Sequence, residues 1–323
     1  MSEIEVCAEC GIPLLVSGEL SWDETGVISS KRSARNRWIF FESENIDPLF
    51  KGMEDLIGMP IEHIVIESRC RDTKRFIERT FPAEMREYMA EKSRKMTELG
   101  PAMEPEEREG LLSAYRAVTL SIIDISKADG YGGQRPGDLC DKGTDHPWRT
   151  QVIKNPYSLL FISADNLGSV EAFENATMQV EHEEIGPDTY RIDVNPGEHP
   201  IELHERLKRK RYDIKPGDIE YERCQQCGIP KDVSRYIWDL EEGTITDPDT
   251  GRRMAVLGPS AVDAIFGDLQ TELGEAVPET IIEAERRNIR SAWAGDEWLR
   301  RAPDFKRRIA LRGLGNLVHF EGA

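Results

Sequence analysis

Two heptapeptides near opposite ends of the chain constrain its fold more than any other feature. They are Cys7-Ala-Glu-Cys10-Gly-Ile-Pro13 and Cys224-Gln-Gln-Cys227-Gly-Ile-Pro230. Two residues between the cysteines let a tight turn aim both sulfurs at one ion, and the glycine that follows supplies the permissive backbone such a turn uses. Four thiolates in tetrahedral array are what a structural zinc ion takes. Cys7, Cys10, Cys224 and Cys227 are therefore expected to hold one structural zinc per chain. An iron–sulfur cluster uses the same ligands and stands second. A redox C-x-x-C belongs between a strand and a helix, whereas hairpin-like sequence follows here. Cys70 and Cys140 have no partner at metal spacing and read as buried thiols.

The cysteine pairs head a longer repeat. Trp22 and Gly26-Val-Ile28 in the first copy correspond to Trp238 and Gly243-Thr-Ile245 in the second. A short apolar strand follows in each, Arg37-Trp-Ile-Phe-Phe41 and Arg253-Met-Ala-Val-Leu257. Beyond it the copies align at an offset of 216 residues, with Ile46, Leu49, Phe50, Met53 and Ile57 matching Val262, Ile265, Phe266, Leu269 and Leu273. That spacing is one apolar face of a helix, which Gly58 and Gly274 then end. A second helix starts near Ile61 and Val277, carrying Glu67 and Arg71 in one copy and Glu283 and Arg287 in the other. An i, i+4 Glu–Arg pair is ordinarily a helix-surface contact, although its repetition also fits two equivalent pocket-facing carboxylates.

The expected fold is thus α/β of the α+β kind, an internally duplicated unit of zinc knuckle, β-hairpin and two helices flanking a central α/β insert. Residues 1–80 form the first repeat, 81–150 a helical segment with a Gly-rich loop, 151–215 a small α/β insert, and 216–323 the second repeat with a C-terminal tail. Within the middle, Pro82 to Leu99 and Pro105 to Ile125 read as helices separated by Gly100-Pro101. Ser158–Ser163 reads as a strand and Gly168–Asn175 as a short helix. Ala176–Glu183 pairs with Thr189–Val194 across Gly186-Pro-Asp188, and Ile201–Arg211 reads as a charged helix.

Composition narrows the classes of function. The 323 residues carry 42 Lys+Arg against 60 Asp+Glu, a net charge of −18. A surface this negative repels phosphate backbones and disfavours nucleic-acid binding. No apolar run approaches a membrane span, and the first residues have no signal-peptide pattern, so a cytoplasmic protein without membrane partners is expected. The basic run Arg206-Leu-Lys-Arg-Lys-Arg211 reads as a solvated helix face, and the acidic surface also fits a scaffold for a basic protein partner. Neither a P-loop, a G-x-S-x-G elbow nor an H-E-x-x-H pattern is present, and catalysis is left open. An active site would fall in the unrepeated 130–210 region or at the metal. Cys140, Asp141, Asp145 and His146 cluster in one loop as a further candidate. Because the copies repeat no nucleophile or base, a ligand is expected to contact residues 130–160, with Tyr131, Arg135, His146, Trp148 and Tyr157 as candidates.

The half-repeat from Arg252-Arg-Met-Ala-Val-Leu257, through Leu273-Gly274, to Glu283-Ala-Glu-Arg-Arg287 resembles the small-molecule-binding domains of the 4-vinyl reductase family. It is similar also to the N-terminal domains of aromatic-sensing transcription regulators. The likeness covers roughly 50 residues in each copy. It departs in one respect: the cysteine pair here precedes the hairpin, whereas in the vinyl reductase domains cysteines lie near the end. The resemblance implies a mixed α/β domain enclosing an apolar pocket for a small hydrophobic or aromatic molecule, used in sensing or as an accessory factor.

Overall fold

The computed structural model describes residues 4–136, 146–201, 203, 214–292 and 302–314. Cys140, Asp141, Asp145, His204 and the basic run Arg206–Arg211 lie outside the described residues. In chain order the first half contains α1 (Leu14–Glu19), β1 (Leu20–Trp22), β2 (Ile28–Ser30), β3 (Ser33–Glu42), α2 (Ile46–Ile57), α3 (Glu62–Thr80), α4 (Ala83–Leu99) and α5 (Pro105–Ala128). The middle contains β4 (Gly133–Pro136), β5 (Thr150–Lys154), α6 (Leu159–Glu174), β6 (Met178–Gly186) and β7 (Thr189–Pro196). The rest contains β8 (Ile237–Asp239), β9 (Thr244–Thr246), β10 (Arg253–Leu257), α7 (Pro259–Leu273), α8 (Val277–Ala292) and α9 (Ala302–Leu311). Helix and sheet are both substantial, as expected of an α+β chain, and no described helix is long and apolar enough to cross a membrane.

The chain divides into two compact units. A knuckle unit is built from residues 2–59, 128–130 and 207–323, and an insert unit from 60–127 and 131–206. The division falls after Met59, and α3 packs with α6 within the insert unit.

In the knuckle unit six antiparallel strands follow the order β1-β2-β3-β10-β9-β8. At the centre β3 meets β10 with Phe40 opposite Val256 and Phe41 opposite Ala255. Successive side chains of a strand point to opposite faces, so Phe40 and Val256 enter one core with Trp22, Ile28, Ile245 and Met254. Ile12 and Ile229, the apolar residue of each heptapeptide, are 1% exposed in that same core. Each hairpin packs an indole, Trp22 buried and Trp238 half-buried, against the same core, and each N–H finds a carbonyl. Trp22 donates to the Leu311 carbonyl at 2.8 Å, and Trp238 to the Ala128 carbonyl at 3.0 Å. Asp23 and Asp239, next in sequence, each accept two backbone amides of their own turn.

In the insert unit the strands run β4-β5-β7-β6, all antiparallel, and the hairpin β6–β7 is the one the sequence shows. The expected strand Ser158–Ser163 and short helix Gly168–Asn175 are instead one continuous helix, α6. Ser158 caps it by accepting the Phe161 amide at 3.1 Å, and Asn175 ends it in the left-handed region. Its apolar start misled because α6 is buried almost all round, and a helix without a wet face shows no 3.6-residue alternation. Glycine decides how closely α6 meets α3. A Cβ on Gly168 would lie 2.4 Å from the Cys70 carbonyl oxygen and 3.0 Å from the Lys74 amide nitrogen, both backbone atoms. Gly168→Ala should therefore cost up to about 3 kcal/mol through overpacking, despite a better helix propensity. Gly110→Ala, with open space at an exposed position of α5, should gain up to about 1 kcal/mol. Urea midpoints of the two variants should move in opposite directions.

Candidate metal centre

Each cysteine pair sits on a knuckle closed by its own backbone. The Cys7 amide donates to the Ile12 carbonyl at 2.8 Å and the Gly11 amide to the Cys7 carbonyl at 2.8 Å. The second knuckle repeats this, Cys224 to Ile229 at 2.9 Å and Gly228 to Cys224 at 3.0 Å. Gly11 and Gly228 have φ of 74° and 78°, a region that costs other residues strain. This is the physical reason for the shared Cys-Gly.

The knuckles bring all four sulfurs within 4.8 Å of one another. Cys7 Sγ lies 3.7 Å from Cys224 Sγ, and Cys10 Sγ 3.5 Å from Cys227 Sγ. A metal–sulfur bond of 2.3 Å in a tetrahedron sets sulfur–sulfur edges of about 3.8 Å, so the cluster has the size of a single metal ion's shell. Cys7 and Cys224 are buried, Cys10 and Cys227 half-buried. Burial raises the Cys7 thiol, but the Cys10 and Glu9 amides and the neighbouring sulfurs outweigh it and lower it to about 7. Burial dominates at Cys10 and Cys227 and raises both. A cation among sulfurs packed this closely would favour their thiolate forms and offset the repulsion between them. The four cysteines could thus hold a metal ion, and the donor set fits zinc.

A second layer locks the knuckles to each other, and spacing did not reveal it. Glu9 accepts the amides of Gln225 and Gln226 at 3.1 and 3.0 Å, while Gln226 Oε1 accepts the Glu9 amide at 3.1 Å. Glu9 and Gln226 occupy the same place in their respective heptapeptides, so the bonding is reciprocal. The Gln225 amide, with the other contacts around it, holds the Glu9 carboxyl below the usual carboxylate range. The sequence signal was there: the second intervening residue is Glu or Gln in both copies.

The remaining candidates are divided between the two units. In the insert unit Tyr157 is 2% exposed, stacks on Tyr131 at 4.2 Å, and donates to Asp165 at 2.7 Å. Arg69 pairs with the same carboxylate at 2.7 Å. Trp148 belongs to a different cluster, stacked on Tyr115 at 3.7 Å with its indole N–H on Glu174. His146 packs edge-on against Trp148, and Arg135 is exposed on β4. The five expected ligand residues are therefore spread over two aromatic clusters and one exposed strand position. Glu67 and Glu283 also part ways. Glu283 makes the expected exposed pair with Arg287 at 2.8 Å. Glu67 is buried against His199, and Arg71 donates to the Leu203 carbonyl at 3.1 Å. Cys70 is a fully buried thiol, raised by that burial.

His199 went unrecognised because its partners are remote in sequence. Its Nδ1 lies 2.5 Å from Glu67 and its Nε2 2.6 Å from Glu171, which also accepts from Lys74 and the Met178 amide. Hydrogen bonds to Glu171 and then Glu67 raise His199 to about 10, outweighing its burial. The raised value means that the clamp's stabilisation is complete below the free-histidine range near 6.5, declines as pH rises, and is gone above about 10. The stability advantage of the native protein over His199→Gln, read from urea midpoints between pH 6 and 10, should shrink steadily with pH. A constant difference would mean the imidazole is neutral.

Comparison with protein-family models, curated proteins and solved structures returns no match to the chain, so its chemistry is read from its own residues.

Proposed function

We propose that this chain is a zinc-clamped protein of duplicated architecture that binds a small molecule as a sensor or accessory factor, its zinc structural rather than catalytic. The observation that carries this reading is the closed set of four cysteines, locked by the reciprocal bonds of Glu9 and Gln226. Four thiolates fill a tetrahedral ion, whereas catalytic zinc keeps a position for water or substrate. Zinc at Cys7, Cys10, Cys224 and Cys227 would supply folding free energy to the knuckle unit. Duplication is supported by a strand order that reads alike from either edge, by the paired indole donors Trp22 and Trp238, and by the turns at Asp23 and Asp239. The small-molecule part rests on the resemblance of each half-repeat to the 4-vinyl reductase domains.

Protein purified without added metal should contain about one equivalent of zinc and little iron. X-ray absorption should give four sulfur neighbours at about 2.3 Å and no lighter scatterer. An oxygen neighbour would favour the enzyme reading, and a brown protein with a charge-transfer band would replace zinc with an iron centre.

A further inference from the structure

The knuckle unit contains a cavity of about 260 Å³ whose charged lining is Asp232, Arg235, Asp247, Asp249, Arg307 and Arg308. Its walls come from three places: the turn after the second knuckle, the loop between β9 and β10, and α9. We propose that this cavity binds a small dianionic oxyanion of the phosphate class, held between Arg235 and Arg307.

Three arginines and three aspartates line the hollow, but their charges are not equally available. Asp247 is 5% exposed and is occupied by Arg312 at 2.8 Å, with Arg308 3.8 Å away. Asp249 is shared between Arg235 at 3.1 Å and Arg308. Asp232 pairs with Arg307. The arginine heads are the open groups: Arg235 and Arg307 are 62% and 63% exposed, against 28% and 27% for Asp249 and Asp232. Each of these two arginines meets its aspartate through one terminal amino nitrogen, whereas a guanidinium has five N–H donors in a fixed fork that suits a phosphate. The mouth is therefore donor-rich while the acids are spent on the walls.

Size and surroundings limit the ligand. The volume falls below the ~300–1,000 Å³ of typical drug-sized sites, so the occupant is small. Leu311 and Pro248 supply a short apolar wall for an organic stem. Across the rest of a chain of net charge −18 an anion meets repulsion, but at physiological salt that field is screened beyond about 8 Å, and the local arginines decide.

The test uses the full zinc-loaded chain, with inorganic phosphate as the probe and chloride at matched ionic strength as the reference. Phosphate should raise the melting temperature saturably, and calorimetry should show one site. Arg235→Gln combined with Arg307→Gln should weaken binding at least about tenfold, since each charge-assisted hydrogen bond carries more than one factor of ten. Zinc content and circular dichroism of the variant should be unchanged, because both side chains are largely exposed. Lys51→Gln, which removes an exposed cation elsewhere, should leave the affinity as it was. A phosphate effect no larger than that of chloride, one equal in the double variant, or acetate binding as tightly as phosphate would each overturn the proposal.

Discussion

Removing the zinc proposed for the four-cysteine site, or substituting one of those cysteines, should destabilise the knuckle unit more than any other single change. The two cysteine pairs are joined through a chain segment running from Cys10 to Cys224, and the unit's core draws Ile12 from one knuckle and Ile229 from the other. Structural zinc sites bind with apparent free energies of about 10–16 kcal/mol at neutral pH, and that energy is folding energy where the site forms only in the native state. Part of the clamp survives without metal, because the Glu9 and Gln226 bonds need none. A loss of at least about 5 kcal/mol is therefore expected for Cys224→Ser or for the chelated protein, comparable with the whole stability of an ordinary domain. Scanning calorimetry should show the transition of the knuckle unit falling by ten degrees or more, while a transition of the insert unit stays in place. Identical melting with and without chelator would mean that no metal clamps the two knuckles.

The second large effect is expected at Glu174, at the end of α6. This carboxylate is 4% exposed and accepts from Trp148 Nε1 at 2.8 Å, Arg149 Nε at 2.7 Å and Ser93 at 2.9 Å, with a second Arg149 bond at 2.5 Å. Glu174→Ala leaves the Arg149 guanidinium, 13% exposed, without its counter-charge, and orphans an indole N–H as well. Breaking a buried pair from one side costs about 3–5 kcal/mol. Glu283→Ala is the contrast, since its pairs with Arg286 and Arg287 are exposed and such pairs contribute at most about 1 kcal/mol. A chemical-denaturation comparison should separate the two variants clearly. A small loss at Glu174 would mean that the polar core of the insert unit relaxes or hydrates.

Three acids on α6 explain why that unit tolerates so polar a centre. Asp165 faces Arg69 of α3, Glu171 faces Lys74 of α3 and His199, and Glu174 faces Arg149. Each of these three carboxylates thus meets a cation supplied by another element, which spares it an unpaired charge in a low-dielectric interior. Burial would push Glu171 up, but the bonds from His199, the Met178 amide and Lys74 bring it below the ordinary value.

The sequence by itself determined what local physics encodes. The knuckles follow from Cys-x-x-Cys-Gly, α2 from its apolar spacing and Gly58, and the β6–β7 hairpin from alternation broken at Gly186-Pro-Asp188. All of these depend on residues within a turn or two of one another. Only the tertiary structure decided that Ser158–Asn175 holds one buried helix, that Glu67 faces His199 while Glu283 stays at the surface, and that Tyr157 and Trp148 serve separate clusters. Those outcomes turn on which cation or aromatic ring arrives from another part of the chain to meet a buried group. Periodicity carries no record of that, because burial on every side erases the pattern and pairing across long separations leaves none.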